Sequence, residues 1–294
     1  MAYRFHRPRP FRAITFAVCL AATSVHAADG ADALRQKYTE LKPQLASNQF
    51  GQPLYIESTE NPKQLKGEAY ALLDYPLEKV AAALQTREQW CDVLILHLNT
   101  KYCRAADVNG GPGLTVYIGK KDPQSLEQAY RVDFAYEAAS TPDYLDVRMS
   151  ADKGPVGTSN YRILVEAGAV DSRRTLLHLT YSYSYGMAGK LGMQGYLATA
   201  GASKVGFTVT GNEDGKPAYI GGVRGVVERN TMRYYLAIDS YLKEVDAPRA
   251  EQFERRLKNW FSATERYARQ LREVDREDYM DMKRAEYQRQ REGR

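Results

Sequence analysis

The sequence is poor in the residues that most often carry chemistry. It has three cysteines and four histidines in 294 residues. Two of those histidines, His6 and His26, lie in an N-terminal stretch with the marks of a removable leader. Residues 1–12 hold Arg4, Arg7, Arg9 and Arg12 and no acid; Ala13 to Ala22 is apolar; Val25-His26-Ala27 has the small-x-small form of a cleavage site. This is the layout of a secretory signal peptide, expected over residues 1–27 with cleavage near Ala27. The chain beyond the leader holds only His97, His178, Cys91 and Cys103. A polyhistidine metal site is excluded, and no metal or cofactor is expected. The leader also takes four arginines, leaving 37 basic against 36 acidic residues, a net +1 instead of +5. Composition therefore gives no reason to expect a nucleic-acid partner.

Long hydrophobic runs are missing too. The apolar run of the leader falls well short of the ~20 residues that span a bilayer. No transmembrane segment is expected, and the product should reach the periplasm or be secreted. Catalytic signatures are equally scarce: there is no G-x-S-x-G, no H-E-x-x-H and no P-loop. Gly113 to Lys121 imitates a P-loop, but its spacing is wrong and the Ser/Thr is missing. Ser150-Ala151-Asp152-Lys153 fits S-x-x-K without companion motifs and runs into a Gly-Pro turn. No catalytic residue is assigned. His178 falls on the polar, outward side of its strand and is expected in solvent; His97 is expected to be partly buried with its hydrogen bonds met.

Tyrosine is abundant: 22 residues against eight Phe. Each brings apolar area plus a hydroxyl that wants a partner when buried. Such a bias suits a half-wet cavity, although tyrosine is also a ready strand former. The cysteines, in an oxidising compartment, are expected to form a Cys91–Cys103 disulfide, a staple of roughly 3 kcal/mol; two buried thiols are the alternative.

Patterning orders the chain. Leu34, Tyr38, Leu41 and Leu45 mark a helix over Ala31–Ala46, within an N-terminal helical segment 28–52. Strands come next, at Leu54–Thr59 and Lys66–Leu73. A helix opens at Pro76 and a second short helical stretch carries Trp90 and Cys91. From Thr100 to Tyr185 the period drops to two, with turn chemistry between runs such as Leu114/Val116/Ile118 and Tyr181/Tyr183/Tyr185. That is an antiparallel meander with one apolar face. A Gly- and Ala-rich flap and a hairpin occupy about 187–221. Val223, Val227, Tyr234, Ile238, Tyr241 and Val245 form the stripe of a long helix that ends near Ala247-Pro248. Beyond it, Phe253, Leu257, Trp260, Thr264, Tyr267, Leu271 and Val274 repeat as a heptad seam, either folded back on the body or offered to a partner. The last stretch, Asp275–Arg294, is dense in charge and reads as an exposed helix or a frayed tail.

This order resembles the START-like helix-grip superfamily, which includes lipid-transfer START domains, polyketide cyclases and the birch-pollen allergen family. Lys66-Gly67-Glu68 through Asp74-Tyr75-Pro76-Leu77 to Trp90 resembles its opening strand and helices. Gly225-Val226-Val227-Glu228-Arg229-Asn230 resembles the entry to its closing helix. The resemblance covers roughly 53–246. It implies an α+β fold in which a curved antiparallel sheet grips a long C-terminal helix, here with extra N- and C-terminal helices, the latter over 247–294. A sheet bent this way leaves either core or cavity under the helix. The residues expected to line it are Tyr130, Phe134, Val147, Tyr161 and Ile163 from the middle of the sheet, and Tyr181, Tyr183 and Tyr185 from its last strand. Tyr234, Ile238 and Tyr241 join them from the helix. Glu228, Arg229 and Arg233 either meet a ligand head group or form surface ion pairs, the second being the expectation. The functional expectation is an exported binding or carrier protein for a hydrophobic or amphipathic small molecule such as a lipid. The alternatives are a scaffold acting through the helix at 250–274 and a cyclase- or hydrolase-like enzyme using the same cavity.

Overall fold

The computed structural model describes residues 21–62, 64–199, 201 and 203–293. The expected leader lies largely in 1–20, outside the described residues. A first helix, α1 (Ala21–Ala46), precedes the hairpin of β1 (Leu54–Asn61) and β2 (Gln64–Leu73). Two short helices come after it, α2 (Leu77–Leu84) and α3 (Arg87–Leu94). Thr86 opens α3 with a reciprocal capping box to Gln89, which satisfies backbone donors that the helix cannot. Six strands then run in succession: β3 (Thr100–Val108), β4 (Gly111–Ile118), β5 (Tyr130–Thr141), β6 (Tyr144–Lys153), β7 (Thr158–Ala169) and β8 (Thr175–Tyr185).

The eight strands form one antiparallel sheet in the order β1-β2-β8-β7-β6-β5-β4-β3. Only the β2–α2–α3–β3 crossover leaves the meander, and it carries the chain from one side of the sheet to the other. Irregularities at Thr100/Tyr102 and Ser159/Arg162 break the register, and such bulges bend strands locally. Parity sorts the faces. Leu65, Gly67, Ala69 and Ala71 of β2 stand opposite Tyr183, Tyr181, Leu179 and Leu177 of β8, all on the inner face.

The flap is a helix, α4 (Met187–Ala198), succeeded by the hairpin β9 (Val209–Glu213) and β10 (Lys216–Tyr219). The long helix α5 (Gly222–Leu242) then crosses the inner face against β1, β2 and β8. Gly67 allows the close approach, since a Cβ there would collide with the Thr231 hydroxyl. Three further helices finish the chain: α6 (Arg249–Glu265), α7 (Ala268–Leu271) and α8 (Arg276–Glu292).

The structure departs from the sequence reading in three places. The seam 253–274 is not one helix: it breaks between α6 and α7, and Leu257, Trp260, Thr264 and Leu271 are buried against the chain's own body. The charged last stretch is not a frayed tail. Helix α8 packs on β3 and α6, burying Tyr279, Met282, Lys283, Glu286 and Gln290. Its buried stripe is partly polar, so a count of charges hides it. Third, the outer face of the sheet is not simply wet. α1 lies on it, packing Leu34, Leu41 and Leu45 with Tyr70, Tyr144 and Leu176. His178, expected in solvent, is therefore only 9% exposed. Among the described residues, no helix is long and apolar enough to cross a membrane.

Candidate ligand-binding cavity

The closing helix presents two different faces to the sheet. Val227 and Thr231 press on β2, where Gly67 makes room. Val226, Arg229, Asn230, Arg233 and Tyr234, spaced as one helical stripe, instead line a cavity of about 370 Å³. The sheet contributes Tyr161, Tyr181 and Tyr183, and the far edge contributes Thr100 and Ile118. Gly189, Gly192 and Met193 of α4 cover it together with Pro155 and Val156. The two glycines let α4 sit close: a Cβ at Gly192 would meet Val156 Cγ1 at 3.3 Å. Val156 has φ 53° and ψ 42°, a left-handed conformation that strains a β-branched residue by roughly 1–3 kcal/mol.

The aromatic wall is continuous. His97 stacks on Tyr234 (ring centroids 4.7 Å apart), Tyr234 meets Tyr181 (5.1 Å), Tyr181 meets Tyr183 (5.6 Å), and Tyr183 stacks on Tyr161 (5.3 Å). The Tyr161 hydroxyl is 2.9 Å from Thr158 Oγ1. Burial pushes the phenols of Tyr161, Tyr181, Tyr183 and Tyr234 above their ordinary range. They stay protonated and act as hydrogen-bond donors, not as bases.

Of the eleven expected lining residues, Tyr161, Tyr181, Tyr183 and Tyr234 reach the cavity. Phe134, Val147, Ile163, Ile238 and Tyr241 do not line it; they are solid core. Past Tyr234 the α5 stripe runs into packed side chains, with Ile238 and Tyr241 in the core. Tyr130 has inner-face parity, opposite Ile118, but starts its strand beyond the covered part of the face and is 53% exposed. Tyr185 ends its strand half-buried, its hydroxyl 3.3 Å from Glu60 Oε1.

Sequence reasoning undervalued the polar residues. Arg229 and Arg233 are buried cavity residues, not surface ion pairs. Arg229 Nη1 donates to the Val205 carbonyl at 3.2 Å. Arg233 donates to the Leu271 carbonyl and pairs with Glu273 at 2.8 Å; Lys121, also in the lining, pairs with the same carboxylate at 2.7 Å. Glu228 is fully buried away from the cavity, accepting from Ser58, the Thr208 hydroxyl and the backbone N–H groups of Phe207 and Thr208. His97 is 4% exposed. Its Nδ1 accepts from the Asn99 N–H at 3.2 Å, while Nε2 has no hydrogen-bond partner among the described residues. Burial, and then the charges of Arg233, Lys283, Lys121 and Lys101, hold the ring neutral. With Nδ1 accepting, the proton sits on Nε2. The signal that could have found these residues was the Arg229/Arg233 pair four residues apart on the closing helix, in register with Tyr234.

Elsewhere, Cys91 of α3 and Cys103 of β3 are disulfide-bonded, Cα–Cα 5.1 Å. Among the described residues, no group of three or more His, Cys, Asp or Glu could hold a metal.

The strand order, the curved antiparallel sheet and the helix laid across its inner face define the START-like helix-grip fold. No protein-family model matches the chain, and no curated protein matches it in sequence. Solved structures overlap it in part. A START superfamily protein from Mycobacterium smegmatis aligns at 14% identity and TM-score 0.30, over 47% of this chain and 92% of its own. Human StAR-related lipid transfer protein 5 aligns at 9% identity and TM-score 0.30, over 58% and 90%. Truncated norcoclaurine synthase from Thalictrum flavum aligns at 11% identity and TM-score 0.32, over 48% and 91%. Overlaps this partial say nothing of function; the fold class rests on the chain's own topology.

Proposed function

We propose that this chain is an exported binding or carrier protein for an amphipathic small molecule held between the sheet and α5. The observation that carries the reading is the cavity itself. Its 370 Å³ volume lies in the range of small-molecule sites, which bury most of a ligand behind apolar walls with a few placed polar groups. The flap α4 and the Pro155–Gly157 turn cover it. Binding accounts for the lining better than acid–base catalysis does. The phenols are held protonated, and the described lining residues include no carboxylate. Export is supported by the Arg-rich, then apolar, then small-residue N-terminus and by the Cys91–Cys103 pairing, which suits an oxidising compartment. The seam proposed as a docking helix already packs Leu257, Trp260 and Leu271 inside the chain.

Native mass spectrometry of residues 28–294, purified from the host of origin, should show a non-covalent small-molecule adduct. The stripped protein should take up an apolar fluorescent probe. Tyr183→Ala should alter that uptake by enlarging the cavity. Ile238→Ala, in solid core, should instead lower stability by about 2–5 kcal/mol and leave probe affinity nearly unchanged. A protein with neither adduct nor probe uptake would contradict the carrier reading.

A further inference from the structure

Four tyrosines line the cavity, and their hydroxyls are not equivalent. That of Tyr161 lies 2.9 Å from Thr158 Oγ1. Those of Tyr183 and Tyr234 have no hydrogen-bond partner among the described residues, and neither is sealed in packing as the unpaired Tyr136 hydroxyl is. Tyr183 is only 3% exposed, and Tyr234 is held between His97 and Tyr181. Both residues line the cavity, so the surface left to their hydroxyls is the cavity's own. Building on the carrier reading above, we infer that the ligand is an uncharged ring compound bearing a carbonyl oxygen. That oxygen accepts from the Tyr183 or the Tyr234 hydroxyl, and the ring body lies along Tyr161, Tyr181 and Tyr183, under Met193.

Three observations converge. Burial pushes both phenols above their ordinary range, so each stays protonated and brings a donor to the cavity. A carbonyl oxygen meets that donor. A plain hydrocarbon would shut it off from water with no bond in return, and a buried donor is costly to leave unmet. The charged groups of the lining, by contrast, are engaged inside the chain. Arg229 donates to the Val205 carbonyl, Arg233 to the Leu271 carbonyl and Glu273, and Lys121 pairs with Glu273; each has a further interaction as well. A charged head would therefore give up its water without a counter-ion free to receive it. Finally, Tyr183 stacks on Tyr161 at 5.3 Å and meets Tyr181 at 5.6 Å. Ring faces and edges match a further ring by offset or edge-to-face contact, and a rigid body has little rotamer freedom to lose on binding.

The test is displacement of an apolar fluorescent probe from the stripped protein by compounds of one shape: fluorene, fluorenone, fluorene carboxylate and fluorenylammonium. Fluorenone should bind about fivefold or more tighter than fluorene, and both charged compounds more weakly than fluorenone. Tyr183→Phe and Tyr234→Phe keep the rings and remove one hydroxyl each. The variant that loses the hydroxyl receiving the carbonyl should bring the fluorenone-to-fluorene affinity ratio down toward one, a ratio that altered packing alone would leave in place. Tyr185→Phe, which removes a hydroxyl that meets Glu60 instead, should leave the ratio unchanged. Equal binding of fluorenone and fluorene, tightest binding of a charged compound, a ratio untouched by both cavity variants, or an equal fall in Tyr185→Phe overturns the inference while the carrier reading stands. So does a bound probe that no compound of the series displaces. Failure of the probe itself to bind, with no adduct on the native protein, overturns both.

Discussion

His178 shows how a single side chain can change character with its surroundings. Its Nδ1 lies 2.9 Å from Glu166 and its Nε2 3.2 Å from Glu68, and its ring stacks on Tyr70 at 4.2 Å. Lys66 pairs with Glu68 and the Tyr144 hydroxyl donates to Glu166. Burial alone would lower the His178 pKa, but hydrogen bonds and charge from Glu166 and Glu68 outweigh it and raise the value. Burial would raise Glu68, but His178 and Lys66 bring it down to about 2. The signs differ. The raised histidine contributes stability below its unfolded value near 6.5, lost as pH climbs through the folded value; the depressed glutamate contributes above about 4.5, lost as pH falls toward 2. His178→Gln should therefore destabilise by about 1–3 kcal/mol near pH 5.5, where both contributions are present, and by less near pH 9. Urea denaturation at the two pH values checks this, and an equal loss at both would contradict the ionic account.

At the scale of elements, α8 solves the problem of an open sheet edge. β3 ends the strand order, and an unpaired edge invites association. α8 covers it with side chains: Gln290 Oε1 accepts from the Cys103 N–H at 3.1 Å, and Lys283 Nζ donates to the Thr100 carbonyl at 2.7 Å. Glu286 lies between Lys283 at 2.7 Å and Lys101 at 3.0 Å, all three buried. Burial brings the Lys283 ammonium down to about 8, against the pull of Glu286. Two buried cations thus depend on one anion. Glu286→Gln should cost about 3–5 kcal/mol, because it strands both charges. Lys283→Met, which leaves the Lys101–Glu286 pair, should cost clearly less. Chemical denaturation of the two variants distinguishes them, and the reverse order would refute this reading of the triad.

Across the whole molecule, the grip is half core and half chamber. α2 packs on β6 and β7, and α3 on β3 and α5; that half is filled, and the chamber opens toward α4. The disulfide ties α3 to the edge strand, next to His97 and the α8 contacts. Its loop predicts a stabilisation of about 3 kcal/mol. Reduction should lower the unfolding free energy by that amount and loosen α8, seen as faster amide exchange in 276–292. A protein equally stable with and without reductant would show that the cross-link restrains nothing.

The element order as far as α5, the two-residue period of the meander, the break before α6 and the cysteine pairing were legible in the sequence, because each depends on local spacing or a simple count. So were Tyr161, Tyr181, Tyr183 and Tyr234, which alternate or repeat on the correct face. The remaining lining residues could not be read this way. A search for apolar stripes passes over Arg229, Asn230 and Arg233, and parity cannot tell Ile163, in core, from Tyr161, at the cavity. Local sequence decides which face a side chain takes. Whether that face meets solid packing, an open space or another element such as α1 depends on how distant segments come together, and only the tertiary structure decided that.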